Sequence, residues 1–257
     1  MIADIENIRT YWNLRPCNIR HSRLPVGTVA YFDEVERRKY FVEPHIPSFA
    51  DFSRWNGKKV LEIGCGIGTE AVNFARAGAD YTGLDLSEVS LDIARTRFRV
   101  FGLNGQLIQC NAEYLLDAVG PDSFDLVYSF GVLHHIPCPE RVVDGIRKVI
   151  RADGELRVML YARNSWKSIM IDEGFDQPEA QSGCPLARTY TPESAAALLQ
   201  GFRMTSMQQD HIFPYVPEKY VHHEYEKQPW FAAMPDEVFR ALERRLGWHL
   251  LIKAMPV

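Results

Sequence analysis

The residues able to do chemistry begin in one short run, Val60-Leu-Glu-Ile-Gly64-Cys-Gly66-Ile-Gly68-Thr-Glu70. Its glycines end a β-rich stretch and precede a helical one, and without a Cβ their backbone can come close to a ligand. Asp85 follows Gly64 by about twenty positions, the spacing at which a second strand delivers a carboxylate to both ribose hydroxyls. Together they imply a nucleoside ligand rather than an ordinary tight turn. A dinucleotide fingerprint would need glycine at position 69, but that residue is Thr69 and the third glycine comes one place early, at Gly68. Glu62 and Glu70 flank the run, whereas a pyrophosphate prefers a helix N-terminus without acid beside it. A ligand with an ammonium and a second cationic centre fits better. Farther along, His134 and His135 offer imidazoles whose usual pKa, near ~6.5, suits a general base.

Positioning these groups requires strands that alternate with helices. Residues 59–63, 80–84, 106–110, 124–129 and 154–161 read as strands, and 69–77, 113–119 and 139–150 as helices. Ser87 can cap a further helix that runs to about Phe101. This alternation implies a parallel sheet with helices on both faces. Thr191-Pro192 is a helix start, with proline at the first helical position. Residues 202–208 and 248–255 read as two closing strands, with a helix over 236–246 before the last. Two aromatic-rich segments flank this core, residues 1–57 and an insertion at 210–247, and 162–190 lacks periodicity and reads as an active-site loop or partial helix. The expected organisation is an N-terminal cap or lid over 1–57 and one domain over 58–257, the flanks covering the sheet edge where open α/β sheets bind ligands.

Composition narrows the classes. The chain has 257 residues, 46% hydrophobic and 24% charged, enough for a sizeable core and unlike a disordered chain. A net charge of -4 lacks the footprint of a nucleic-acid binder. No stretch approaches ~18 uncharged apolar residues, so no membrane span is expected. The first residues are acidic where a secretory signal would be basic and then apolar. Five scattered cysteines without a CxxC pair point to a reducing, cytoplasmic setting and away from a disulfide framework or zinc knuckle, and no metal is expected.

The motif set resembles the class I S-adenosylmethionine-dependent methyltransferases. Glu62-Ile-Gly64-Cys-Gly66-Ile-Gly68 is similar to their first motif, Leu84-Asp85-Leu-Ser87 to the second and Cys110-Asn111-Ala-Glu113 to the third. The run from Phe124 to Ile136 is similar to the fourth, in the quinone-methylating and related small-molecule branch. The resemblance covers about residues 58–161. It implies a Rossmann-like, doubly wound, seven-stranded α/β sheet, mostly parallel with an antiparallel last strand. It also implies S-adenosyl-L-methionine as cofactor and in-line methyl transfer to a small-molecule acceptor. Carried over residue by residue, Gly64, Gly66 and Gly68 would meet the cofactor through backbone, with Glu62 in the same motif. Asp85 would take the ribose hydroxyls and Leu86 would pack on adenine. Asn111, Ala112 and Glu113 would hold the adenine edge, and Ser129 and Phe130 would lie beside the methionine moiety. Asn111 departs from the commoner Asp, but its carbonyl oxygen can still accept from the adenine amine.

For the acceptor, the polar segment Arg15–His21 behind Tyr11 suggests a lid, with Tyr11, Arg20 and His21 as contacts. Tyr161, Asn164 and Trp166 lie nearest the expected site in the middle loop, and Tyr215 stands for the aromatic insertion. That insertion reads as a pocket, as its own small core, or as a contact in a homodimer. Cys17, Cys138 and Cys184 could converge for arsenic methylation, although lone cysteines are more often packing. Two further readings stay open: an attack on the sulfonium's amino-acid chain that releases methylthioadenosine, and a non-catalytic binding protein of the same fold.

Overall fold

Parallel strands covered by helices must be apolar on both faces, and the first core strand, Val60-Leu-Glu-Ile63, is buried throughout. The computed structural model describes residues 4–121, 124–175 and 183–257. The cap contributes α1 (Ile5–Leu14), α2 (Val29–Val42) and α3 (Ile46–Ala50). The core follows as β1 (Lys59–Ile63), α4 (Thr69–Arg76), β2 (Asp80–Asp85), α5 (Glu88–Phe101) and β3 (Gln106–Gln109). Next come α6 (Leu115–Val119), β4 (Phe124–Phe130), α7 (Pro139–Val149), β5 (Ile150–Tyr161), α8 (Trp166–Asp172), α9 (Pro192–Leu198) and β6 (Phe202–Asp210). The insertion holds α10 (Pro217–Tyr220), α11 (Pro229–Ala232) and α12 (Asp236–Leu246), and β7 (His249–Pro256) closes the sheet.

The strands lie in the order β3-β2-β1-β4-β5-β7-β6. β1 to β5 pair in parallel, while β7 runs antiparallel to both β5 and β6. This is the doubly wound sheet with an antiparallel last strand expected from the motifs. Chain order reverses between β1 and β4, and ligands bind outside the carboxyl ends of strands at such a switch point. Alternation divides the core: Leu61, Ile63 and Val127 pack on one face with Val142 and Ile146, and Val60, Leu126 and Tyr128 pack on the other with Val72 and Phe74. Each fully buried aliphatic side chain stabilises the fold by roughly 1.5–3 kcal/mol.

Local caps account for the helix starts. The Ser87 side chain accepts from Ser90 N, and Thr191 and Ser194 form a capping box ahead of α9. Two boundaries differ from the sequence reading. The 113–119 helix is split into a tight turn over Ala112–Tyr114 and α6, because Asn111 caps the turn and Tyr114 leaves helical geometry. β5 starts at Ile150 rather than 154, since Ile150 already has extended backbone and pairs with Phe124 across an irregular register. The 162–190 segment contains α8 and a bridge from Ala162 to Tyr190, and its residues 176–182 lie outside the described residues. Among the described residues no helix is long and apolar enough to cross a membrane.

The cap is joined to the core by polar contacts as well as packing. Tyr31, Phe32 and Val35 of α2 bury against Ile67 of the glycine loop. Arg97 of α5, fully buried, donates to Thr69 Oγ1 (2.7 Å) and to the Phe32 carbonyl (3.2 Å). Ser87 Oγ donates to Asn13 Oδ1 (2.8 Å), tying the end of α1 to the turn after β2.

Candidate active site

The glycine loop works by two different constraints. Gly64 has φ +77°, and a Cβ there would come within 2.2 Å of Val132, so the loop and the segment after β4 exclude any larger residue. Gly66 has φ +53°, and nothing lies within 4 Å of where its Cβ would be. That open space is a cradle into which a ligand can approach the backbone. The amides of Gly64 and Cys65 both donate to the Leu84 carbonyl (2.7 and 3.0 Å), which clamps the loop to the end of β2. Asp85 then accepts from Gly66 N through Oδ2 and from Ser87 N through Oδ1, each at 2.8 Å. A carboxylate has about four lone-pair sites, so two backbone bonds leave acceptor capacity for ribose hydroxyls. Burial raises its pKa against the lowering effect of those amide bonds.

A single cavity wall follows the carboxyl edge of the sheet from β3 to β7. Asn111 and Ala112 line it after β3, Asp85 and Leu86 at β2, and Gly64 and Gly66 after β1. Phe130 lines it at β4, Tyr161 at β5, and His249 at the start of antiparallel β7. The cap closes it with Ile5, Ile8 and Trp12, then Cys17 and Asn18, and adds Lys39 and Glu43 from α2 and its C-terminus. Lys167 and Trp248 complete the β5–β7 side.

Several expected contacts lie elsewhere, each for a local reason. Gly68 has moved off the wall to cap α4 against Ala94. Glu62 points to the opposite face of β1, where Tyr81 OH donates to it at 2.6 Å; burial and then Glu70 push its pKa up to about 8. It is therefore largely neutral near pH 7 and supplies little of the negative charge expected beside the ligand. Glu113 turns away to accept from Cys138 N (3.0 Å), fixing the loop after β4. Ser129 is fully buried behind Phe130.

In the cap, Ile5, Ile8 and Trp12 share one helical face, which leaves Tyr11 beside the cavity rather than in it, under Arg15. The short turn over Ile19–His21 exposes Arg20 and buries His21, which meets the Tyr220 hydroxyl at 3.3 Å. Asn164 is exposed, its carbonyl accepting from Gln209. Trp166 packs on Phe231, and Tyr215 joins Phe41, Phe213 and Tyr225 in a ring cluster. The late insertion is thus its own small core, docked on α2, rather than cavity wall.

Glu70 is a cavity-lining acid that does keep an electrostatic role. Lys39 Nζ donates to its Oε2 at 2.6 Å, while Oε1 is buried with no hydrogen-bond partner among the described residues. Burial works to lower the Lys39 pKa, yet Glu70 and Glu43 hold it above its usual value. The unmatched Oε1 beside the glycine loop fits an ammonium group on a ligand.

The two histidines after β4 divide sharply. His134 is fully buried and stacks on Tyr161 with ring centroids 3.6 Å apart; among the described residues neither of its ring nitrogens has a hydrogen-bond partner. Burial and its neighbour His135 keep it neutral, far below its ordinary pKa. His135 lines the cavity beside Trp12, and its Nδ1 lies 2.6 Å from the Leu186 carbonyl. That contact assigns the proton to Nδ1 and the lone pair to Nε2. Burial brings the His135 pKa down to about 4. Of the five cysteines, Cys17, Cys65 and Cys110 reach the cavity, and Cys138 and Cys184 do not.

Sequence reasoning missed most of the β5–β7 side. Glu43 and His249 lie 3.6 Å apart there, and His45 Nε2 is 2.9 Å from His249 Nδ1. Burial brings His45 down to about 4 and holds His249 well below its usual value. No local motif marks them, because α2, α3 and β7 meet only in the fold.

Residues 61–156 match the family model of a methyltransferase domain. The chain is 35% identical over 118 residues to the ubiquinone biosynthesis O-methyltransferase of Erwinia tasmaniensis, covering 46% of this chain and 48% of that one. It is 29% identical over 158 residues to the same-named enzyme of Photorhabdus laumondii, covering 61% and 65%. The match spans about half the length of the first of these relatives. Among solved structures, magnesium protoporphyrin IX methyltransferase from Synechocystis, with bound S-adenosylhomocysteine, superposes with a TM-score of 0.65. That comparison has 15% identity and covers 99% of this chain and all of that one. The shared fold therefore extends well beyond the region of sequence similarity.

Proposed function

We propose, from a chain that carries a class I S-adenosylmethionine-dependent methyltransferase domain over residues 61–156, that the protein methylates an oxygen of a small-molecule acceptor. The observation that carries this reading is the continuous cavity along the sheet edge. It places the Gly66 cradle, the Asp85 carboxylate and the unmatched Glu70 oxygen on the same wall as Lys167 and His249. An oxygen acceptor is supported by the named O-methyltransferase relatives. It also suits a β5–β7 side that offers the Lys167 ammonium and the His249 imidazole to an ionisable hydroxyl.

S-adenosylmethionine, when bound, supplies an electrophilic sulfonium methyl group. Gly64 and Gly66 would hold it through backbone, Asp85 at the ribose, Leu86, Asn111 and Ala112 around adenine, and Glu70 at the ammonium. The main task left to the protein is alignment of the acceptor with that methyl group, with water excluded. Trp12, held over His135 by the α1 face, closes the cavity. His135 is the better placed of the two histidines: with Nδ1 engaged by Leu186, its neutral Nε2 can accept a proton or hydrogen bond from the acceptor. Tyr161, stacked between His134 and Trp248, has both ring faces covered and turns only its edge to the acceptor space. His134 serves that stack as a filler.

The cap over 1–57 is read as a lid, the five scattered cysteines suit a reducing cytoplasm, and a homodimer is the assembly to test by light scattering. Titration calorimetry with S-adenosylhomocysteine should give one site per chain, and no binding would sink the proposal. Incubation with S-adenosylmethionine and candidate hydroxyaromatic acceptors should yield S-adenosylhomocysteine on chromatography. Methylthioadenosine as the product would transfer the assignment to attack on the amino-acid chain.

A further inference from the structure

Outside the cofactor motifs, the densest set of buried polar groups sits where α2, α3, β6 and β7 meet. Glu43 ends α2, His45 begins α3, His211 follows β6 and His249 starts β7, and none is more than 9% exposed. One ligand atom from each of Glu43, His211 and His249 lies within 4.8 Å of the other two. Glu43 Oε1 and His249 Nε2 are 3.6 Å apart. Ligand bonds near ~2.0–2.2 Å put ligand atoms of one ion roughly 3–4 Å from each other, so side-chain rotation alone can close the set.

The surroundings are those of a ligand site. His211 holds φ +72°, a left-handed conformation that few residues with a Cβ adopt. It is pinned there by its amide donating to Asp210 Oδ1 (2.7 Å) and its carbonyl accepting from Trp248 N (2.7 Å). His45 Nε2 lies 2.9 Å from His249 Nδ1. If His249 donates there, its Nε2 lone pair is turned toward Glu43; such outer contacts orient metal-binding histidines. Glu43 and His249 also line the cavity, so the set has one side inside the fold and one side open to the acceptor space. Two lysines face the set, Lys39, engaged by Glu70 Oε2 at 2.6 Å, and Lys167 on the β5–β7 side.

We propose that Glu43, His211 and His249 form a binding site for a first-row divalent transition ion, Zn²⁺ or Fe²⁺ in chemical class, at the acceptor end of the cavity. Two imidazoles and one carboxylate leave coordination positions open, the arrangement of a reactive rather than a structural site. Under the methyl-transfer reading, on which this role rests, an acceptor oxygen completes the ion's shell and releases its proton to solvent at lower pH. The sulfonium cofactor and the ion then occupy neighbouring parts of one wall, from β1–β3 and from β7 respectively.

The test uses untagged, chelator-treated full-length protein titrated with Co²⁺ and followed by visible absorption, with Zn²⁺ as competitor. One Co²⁺ per chain, with ligand-field bands displaced by one Zn²⁺, is expected. His249→Ala and Glu43→Gln should each weaken Co²⁺ binding at least about 100-fold, and His45→Phe about 10-fold. S-adenosylhomocysteine affinity, measured on the same samples, should stay within about twofold of wild type. If His249→Ala fails to fold by circular dichroism, His211→Ala and Glu43→Gln carry the comparison. Absence of stoichiometric Co²⁺ binding in the wild type, or variants that bind Co²⁺ as the wild type does, would overturn the site. Co²⁺ binding without S-adenosylhomocysteine binding would instead overturn the methyl-transfer reading and leave the ion site standing.

Discussion

The two halves of the cavity are built in opposite ways. The cofactor half comes from four adjacent strand ends, β3, β2, β1 and β4 in sheet order, so Asn111, Asp85, Gly64 and Phe130 sit side by side along the edge and all come from one stretch of chain, residues 64–130. The acceptor half takes Lys39 and Glu43 from the cap, Lys167 from α8 and His249 from an antiparallel strand. The first half depends on backbone geometry and tolerates few substitutions. The second depends on side chains brought together from distant segments, where replacement changes what is bound more than how the sheet folds.

The joint between the halves is the place to break it most severely. Lys39→Met leaves Glu70 as a buried, unpaired charge, and such losses cost about 3–5 kcal/mol. A large fall in the urea midpoint is expected, and an unchanged midpoint would mean the halves are not coupled through this pair. Next in size, Asp85→Ala should weaken S-adenosylhomocysteine about 100-fold, since hydrogen bonds to a charged group contribute roughly 1.5–3 kcal/mol each. Calorimetry would show whether Co²⁺ binding survives that change, as two independent halves require.

A smaller effect concerns pH. The Glu62 pKa is raised from 4.5 to about 8, so the folded state holds a proton that the unfolded state has lost. Stability from this group is greatest below the unfolded value and falls as pH rises between them. Glu62→Gln removes that dependence, so the variant should gain in melting temperature relative to wild type from pH 5 to 8.5, as followed by calorimetric scans. The smallest expected signal is in the rate profile. With His135 at about 4, activity should show no inflection near pH 6.5. An inflection there that vanished in His135→Gln would mean that His135 titrates with an ordinary pKa and sits in a wetter site than its burial implies.

Much of the core was legible because its signals are local. Thr191-Pro192 and Ser87 mark helix starts by hydrogen bonds within three residues, and the run 60–63 signals a covered strand by carrying apolar residues on each face, Val60 on one and Leu61 and Ile63 on the other. The spacing of Gly64 and Asp85 reports a strand–turn–helix–strand path that has little freedom in length. The same logic holds within the cap: Ile5, Ile8 and Trp12 repeat on one helical face, and that face meets the cavity instead of Tyr11. Glu62 and Glu113 show the limit of motif reasoning. Each stands in the expected place along the chain, but strand alternation turns one to the far face, and a backbone amide after β4 captures the other.

The amino-acid sequence by itself determined the sheet, the glycine loop and the place of the Asp85 carboxylate at the end of β2, because each rests on interactions between near neighbours and on backbone conformations few residues can adopt. Only the tertiary structure decided the acceptor half. Glu43, His211 and His249 are far apart in the chain, and their meeting depends on α2 docking and on β7 running antiparallel into the sheet edge. It also decided that His134 is filler and His135 is wall, since adjacent residues differ there only in which packed surface each one faces.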